Sequence, residues 1–318
     1  MEIMLKYYKT NHDTKELERR NGAETDCWID MVRPTEDEIN QVVEDTGVDR
    51  DLLIKMRDDD ELPRIESSGN ATLIVLDVPA LEDDGDDDDD FITYPLGIIV
   101  CENNYIITVA PIETNTLTDF RKGLVKDFRT AKKTRFLIQI IAIAAAHYLK
   151  VLDLVYKNID TKEDSMQKST SNADLIDLLT AEKTLVYFES SLKENRLVLD
   201  RLANGKVLPL YDGDLDLLED ATIENEQALD MAGLYRKILK SISETYSAVI
   251  NNNQNNIMKF LAGITIVLSI PTIISSFLGM NVQFGIIGTS PLSAMIIFIS
   301  SIVFSITLAI WLKKRGML

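Results

Sequence analysis

Residues 260–281 read FLAGITIVLSIPTIISSFLGMN. Phe260 to Leu278 is a run of 19 residues without a charge, long enough to cross a bilayer as a helix. Its polar residues are ordered. Thr265, Ser269, Thr272 and Ser276 follow one another at 4, 3 and 4 positions, so a helix gathers them on one face. Followed toward the N-terminus one turn at a time, the same face meets Leu261, Met258 and Asn255. A hydroxyl stripe inside a membrane requires a polar neighbour, either water or another helix. It reads as a pore lining or as a packing face.

The run closes on Gly279-Met280-Asn281. Ser269-Ile270-Pro271-Thr272-Ile273-Ile274 precedes it, and a short loop, a second apolar stretch (Leu292 to Leu312) and a basic tail follow. In that setting the tripeptide resembles the signature of the CorA family of magnesium channels. The remainder of the chain is compatible with the family in layout rather than in motif.

Charge divides the chain sharply. Residues 257–318 hold no Asp or Glu and four basic residues, Lys259, Lys313, Lys314 and Arg315. All 51 acidic residues and 29 of the 33 basic ones therefore lie in residues 1–256, a net of −22. So acidic a domain argues against nucleic acid, whose phosphates require Lys and Arg, and it attracts cations. The two cysteines, Cys27 and Cys101, lack metal-ligand spacing and form no disulfide scaffold, which suits a reduced cytoplasmic domain. Met1-Glu2-Ile3-Met4 opens without the basic segment and apolar core of a signal peptide. The basic residues flank the two apolar stretches on one side, and the positive-inside bias places both termini in the cytoplasm of a multi-pass protein of the cell membrane.

Residues 1–110 read as a mixed α/β unit. Ile3–Tyr8 and Trp28–Val32 are expected strands, and Thr35-Glu36-Asp37-Glu38 is a capping box opening a helix that stops near Gly47. Asp51–Arg57 suggests a short helix, and Ala71–Val78 a strand ending at Pro79. Leu96–Cys101 and Tyr105–Val109 flank a hairpin turn at Glu102-Asn103-Asn104. The run Asp83-Asp84-Gly85-Asp86-Asp87-Asp88-Asp89-Asp90 is either a solvated loop or a weak divalent-cation site completed by another subunit. It lacks the ligand spacing of an EF-hand.

Long helices follow. Leu137–Ala146 is too short between charges for a third span and reads as buried packing, with His147 as a packed or surface residue rather than a metal ligand. Ser171–Leu202 is helical and stops at Asn204-Gly205, and Asp212-Gly213-Asp214 reads as a turn. From Thr222 the helical pattern runs on to Leu278, with Tyr235, Leu239, Ile242, Tyr246 and Val249 as a heptad-like seam that calls for like neighbours around an axis. Pro271 bends or loosens the helix inside the span.

These readings divide the chain into six parts. An acidic α/β domain with long helices covers 1–221, and a stalk part of the long helix covers 222–256. The first membrane helix is 257–281, the external loop 282–291, the second membrane helix 292–312 and the basic tail 313–318. The fold class is an α/β cytoplasmic domain followed by long helices and two transmembrane helices.

The resemblance implies a CorA-like funnel, a homopentamer embedded in the lipid bilayer, and Mg2+ as both transported and regulatory ion. It implies a filter at Gly279, Met280 and Asn281. There Asn281 gives a ring of carboxamide oxygens suited to hydrated Mg2+, Gly279 permits a close turn, and Met280 packs rather than binds. Below it the hydroxyl stripe faces the ion, Leu261 and Met258 form an apolar constriction, and Asn255 rings the entry. The resemblance implies sensing of cytoplasmic Mg2+ at carboxylates between subunits, for which Asp83, Asp84 and Asp220 are the candidates; Asp220 reads equally as a solvated residue at a helix end. Two departures stand out. Position 278 is Leu278 where the family usually has an aromatic, and the 282–291 loop lacks the acidic residue that many relatives carry.

Two alternatives remain open at this point: a Co2+, Ni2+ or Zn2+ transporter of the same superfamily, and a membrane-anchored acidic coiled-coil scaffold. An enzyme is not expected, for there is no phosphate-binding glycine loop and no nucleophile–base set.

Overall fold

Alternating apolar residues place a sheet at the centre of residues 1–240, the first of two units into which the chain divides. The computed structural model describes residues 5–81, 91–168, 172–211, 213–280 and 291–317. Strands β1 (Leu5–Thr10), β2 (Leu17–Arg20), β3 (Trp28–Val32), β4 (Arg64–Ser68), β5 (Ala71–Leu81), β6 (Phe91–Cys101) and β7 (Ile106–Ala110) form one sheet. Their order is β2-β1-β3-β7-β6-β5-β4, and every neighbouring pair is antiparallel except β3 with β7.

Both faces of the central strands are buried, and successive residues along them turn to opposite faces. Trp28, Ile74, Leu76 and Ile98 point into one core, and Ile29, Met31, Leu73 and Val75 into the other. The second core is covered by α1 (Glu36–Thr46) and α2 (Arg50–Lys55) through Ile39, Val42, Leu52 and Leu53. The first is covered by α3 (Asn115–Arg121), α4 (Lys133–Lys168) and α5 (Asn172–Ala203) through Phe120, Phe136, Ile140 and Leu199. Leu137 to Ala146 lies largely within this packing, so α4 buries its apolar face on the sheet although it has the length and composition of a membrane span.

Several local expectations hold. Thr35 and Glu38 form the reciprocal capping box, and Gly47 ends α1 at φ 70°, in the left-handed region open to glycine. The strand expected to stop at Pro79 does not. β5 continues to Leu81, because its outer edge is free of β4 beyond Val75. The N–H and C=O of Asp77 turn to that outer edge, where the Asn195 side-chain amide takes both, at 2.9 and 2.8 Å. Two residues on, the missing N–H of Pro79 falls on the same side and interrupts no ladder. Gly97 on β6 answers a different need: a Cβ there would sit 2.6 Å from Met56 Cγ, so sheet and α2 approach closely only across a glycine.

α6 (Asp214–Leu278) starts eight residues ahead of Thr222. Asp214 is buried, accepts from the Tyr211 N–H at 3.2 Å and pairs with Arg135 at 3.3 Å, so a carboxylate occupies the first turn where the helix dipole favours it. Within residues 214–240, Leu218, Ala221, Asn225, Ala228, Ala232 and Leu239 are buried at spacings of three, four and seven. Asn225 donates to the Leu192 carbonyl of α5 at 3.0 Å, and Tyr235 stacks on Tyr156 of α4 at 4.7 Å. Of the expected seam, Tyr235 thus meets a helix of its own chain, α4.

The second unit, residues 241–318, contains the rest of α6 and α7 (Pro291–Lys314). Its burial pattern is inverted. Phe260, Leu268, Ile273 and Phe277 on α6, and Leu292, Phe298, Phe304 and Ile310 on α7, are exposed. Buried positions include the small residues Gly263, Ser301 and Ser305. Both helices are long and apolar enough to cross a membrane. At the end of α7 the Arg315 guanidinium lies 5.0 Å from the Trp311 ring, an arrangement suited to a membrane–water boundary.

Candidate functional site

The stripe on α6 is built by helical spacing alone. Thr265, Ser269, Thr272 and Ser276 fall within roughly a 60° arc at 3.6 residues per turn. Each of the first three hydroxyls donates to its own helix: Thr265 to Leu261 O at 2.7 Å, Ser269 to Thr265 O at 2.7 Å and Thr272 to Leu268 O at 3.0 Å. The proton is spent on the backbone, so what each hydroxyl turns outward is oxygen lone pairs. That polarity fits a cation or the hydrogens of its hydration shell. Pro271, inside the same helix, brings no N–H for the Val267 carbonyl.

Asn255, Met258 and Leu261 are exposed, so the apolar pair expected as a constriction is uncovered in the single chain. At the other end, the Gly279 N–H donates to Ser275 O at 2.9 Å and the Met280 N–H to Phe277 O at 3.4 Å, closing the last turn. A Cβ at Gly279 would lie 3.3 Å from Ser275 O, which makes glycine the comfortable residue there, and the Met280 side chain is exposed. Asn281, Asp83 and Asp84 lie outside the described residues.

Asp220 is exposed on the second turn of α6. The structure adds Glu224 one turn further along, where partial burial and then the charge of Asp220 raise its carboxyl above the usual range. The i, i+4 spacing of two acids was the available signal for this neighbour. Among the described residues no group of three or more metal-ligating side chains gathers, so this pair would need further oxygens to close around a cation. His147 is a packed residue: its Nδ1 is 3.3 Å from Thr116 Oγ1, its Nε2 is 3.4 Å from Asp119, and burial lowers its pKa. Cys27 and Cys101 are free and buried, and burial pushes the Cys101 thiol up to about 11, which makes it a poor nucleophile or ligand.

Comparison with known proteins bears on this arrangement. Residues 24–314 match a family described as CorA-like Mg2+ transporter protein. A curated relative, the cobalt/magnesium transport protein CorA of Methanocaldococcus jannaschii, is 27% identical over 275 residues, covering 83% of this chain and 82% of its own. Among solved structures, the complete CorA magnesium transporter of Methanocaldococcus jannaschii superposes with a TM-score of 0.83 at 22% identity, over 99% of this chain and 98% of that one. The full-length CmaX protein gives 0.72 at 16% identity, over 100% and 99%. At such identities the structural likeness is one of fold.

Proposed function

The chain belongs to the family of CorA-like Mg2+ transporter proteins, and we propose that it is a homo-oligomeric channel that admits Mg2+ across the cell membrane. Transport of divalent cations is the activity the family assignment supports. The match over residues 24–314, which takes in most of the acidic unit together with both apolar helices, carries the reading. The acceptor-only stripe on α6 supports it from the chemistry.

In this reading five copies surround a pore lined by the Asn255–Ser276 face of α6. Asn281 closes the outer mouth with carboxamide oxygens, which suit an ion that keeps most of its water. Both termini are cytoplasmic, following Lys259 and the Lys313–Arg315 cluster. Cytoplasmic Mg2+ shuts the pore by joining acidic surfaces of neighbouring subunits, with Asp220 and Glu224 on one side and Asp83 or Asp84 on the other. A scaffold without transport would leave the family assignment unexplained.

The test is Mg2+ uptake into proteoliposomes. Potential-dependent entry is expected, and Asn281→Ala should abolish it while the oligomer elutes unchanged. Uptake untouched by Asn281→Ala would overturn the filter assignment. A second reading, Co2+ as the physiological ion, is favoured by the name of the curated relative, and Co2+ entry without Mg2+ entry in the same vesicles would establish it.

A further inference from the structure

A cavity of about 880 Å3 opens at one end of the sheet in the first unit. It lies where the β4–β5 turn, the β6–β7 turn, the start of α4 and the α5–α6 connection converge. Its chemistry differs from that of the domain around it. Lys132, Lys133 and Arg135 line it against two acids, Glu102 and Asp214, so a locally positive wall stands in a region of net charge −22. Arg135 is paired with Asp214 at 3.3 Å. Lys133 reaches the Cys101 carbonyl at 2.6 Å and Asn104 Oδ1 at 3.4 Å, both uncharged oxygens. Lys132 is exposed and makes no ion pair among the described residues. Two ammonium groups therefore line the cavity outside any ion pair among the described residues, with Glu102 the one lining carboxylate left to oppose them once Asp214 is paired with Arg135.

The remaining walls are of two kinds. Ser67, Asn70, Thr72 and Asn104 offer hydroxyls and amides, and Leu208, Pro209 and Tyr211 form an apolar lip. The Tyr211 ring is exposed beside the basic wall. We infer that this cavity binds a phosphate-bearing anion of nucleotide size, its phosphates on Lys132 and Lys133 and its flat ring against Tyr211. The volume is within the range of small-molecule sites, and few, convergent polar groups on a partly apolar surface are their usual composition. Two ammonium groups recognise a multiply charged phosphate better than a single carboxylate. Aromatic stacking is tolerant of which ring it meets. The site uses none of the residues assigned to the proposed ion pathway and owes nothing to a glycine-rich loop.

The experiment is calorimetric titration of the full chain in detergent with inorganic phosphate, AMP and ATP. EDTA is present throughout, so that no metal ion bridges ligand to carboxylate. ATP should bind more tightly than AMP, and AMP more tightly than phosphate. Lys132→Glu, at an exposed position, should weaken ATP roughly tenfold or more, the loss of one charge-assisted contact. Tyr211→Ser should weaken AMP and ATP and leave phosphate unchanged. Equal thermal midpoints for the variants and the parent chain would confine these effects to binding. No heat from any of the three ligands, or ATP binding indifferent to Lys132→Glu, would overturn the assignment. Phosphate binding as tightly as ATP would overturn the nucleotide size.

Discussion

Thr108 and Thr265 are the same residue in opposite circumstances. Thr108 is wholly buried on β7, accepting from Trp28 Nε1 at 2.8 Å and donating to Asp30 at 3.1 Å, and Asp30 in turn holds Arg121 Nε at 2.7 Å. Those partners are 80, 78 and 91 residues apart along the chain. Thr265 is exposed on α6 and needs a partner only four residues away, the Leu261 carbonyl. In the first unit the polar groups in the core bind distant segments together, and the parallel β3–β7 junction rests on such a cluster. In the second unit the hydroxyls of Thr265, Ser269, Thr272, Ser301, Ser305 and Thr307 are satisfied inside their own helices, the arrangement that would suit a helix with lipid for solvent. One region is held by long-range chemistry, the other by local chemistry and its surroundings.

The sharpest way to break this contrast is Arg121→Met. It would leave the Asp30 carboxylate, 1% exposed, without its guanidinium. Removing one partner of a buried ion pair costs about 3–5 kcal/mol, so the first unit should unfold at markedly lower denaturant. A loss under about 1 kcal/mol would show that this cluster does not carry the junction.

Next in size is a pH effect at Asp77. Desolvation is the main cause that raises its carboxyl from 3.8 to about 6; the Ser191 hydroxyl at 2.5 Å opposes it and Glu194 adds to it. The folded protein holds this proton more tightly than the unfolded chain does. The stabilisation is therefore complete below pH about 4 and is lost as the pH rises through about 6. At one pKa unit per 1.36 kcal/mol the change is up to about 3 kcal/mol. Denaturant midpoints between pH 4 and 7 should fall more steeply for the parent chain than for Asp77→Asn, which keeps an acceptor for Ser191 but does not titrate. Parallel slopes would remove Asp77 from the account.

The smallest effect on stability belongs to Thr265→Val, which keeps the shape and deletes one intrahelical bond. The expected change is about 1 kcal/mol or less, whereas Mg2+ entry in liposomes should fall. A large loss of assembly with no specific loss of entry would make the stripe a packing face instead.

Legibility in the sequence followed the same divide. Phe260–Leu278, the Thr35 capping box, Trp28–Val32 and the Glu102–Asn104 turn could be read because each signal lies within a few residues. The two strands that went unread, β2 (LERR) and β4 (RIESS), are the edges of the sheet. Edge strands bury little and carry charge to discourage pairing with other chains, so their apolar alternation is faint. Pro79 misled for a related reason, since its tolerance depends on where the neighbouring strand β4 leaves β5, at Val75, and not on the residues around it. The Asp30–Arg121 pair and the basic cavity likewise depend on contacts between distant segments, and no local pattern announces them. Of the candidate site, the stripe was legible from spacing. That its hydroxyl protons are already committed was not.

That commitment reaches beyond cation affinity. A chain of side chains can pass protons only if every link both takes and gives a hydrogen bond, and can turn round afterwards. Thr265, Ser269 and Thr272 have their hydrogens fixed to the backbone of α6, so they are poor links for such a chain. If the stripe lines the proposed pathway, it would hold a hydrated cation by its oxygens while contributing no route for proton hopping, and the lining itself would leave a pH gradient across the membrane undisturbed.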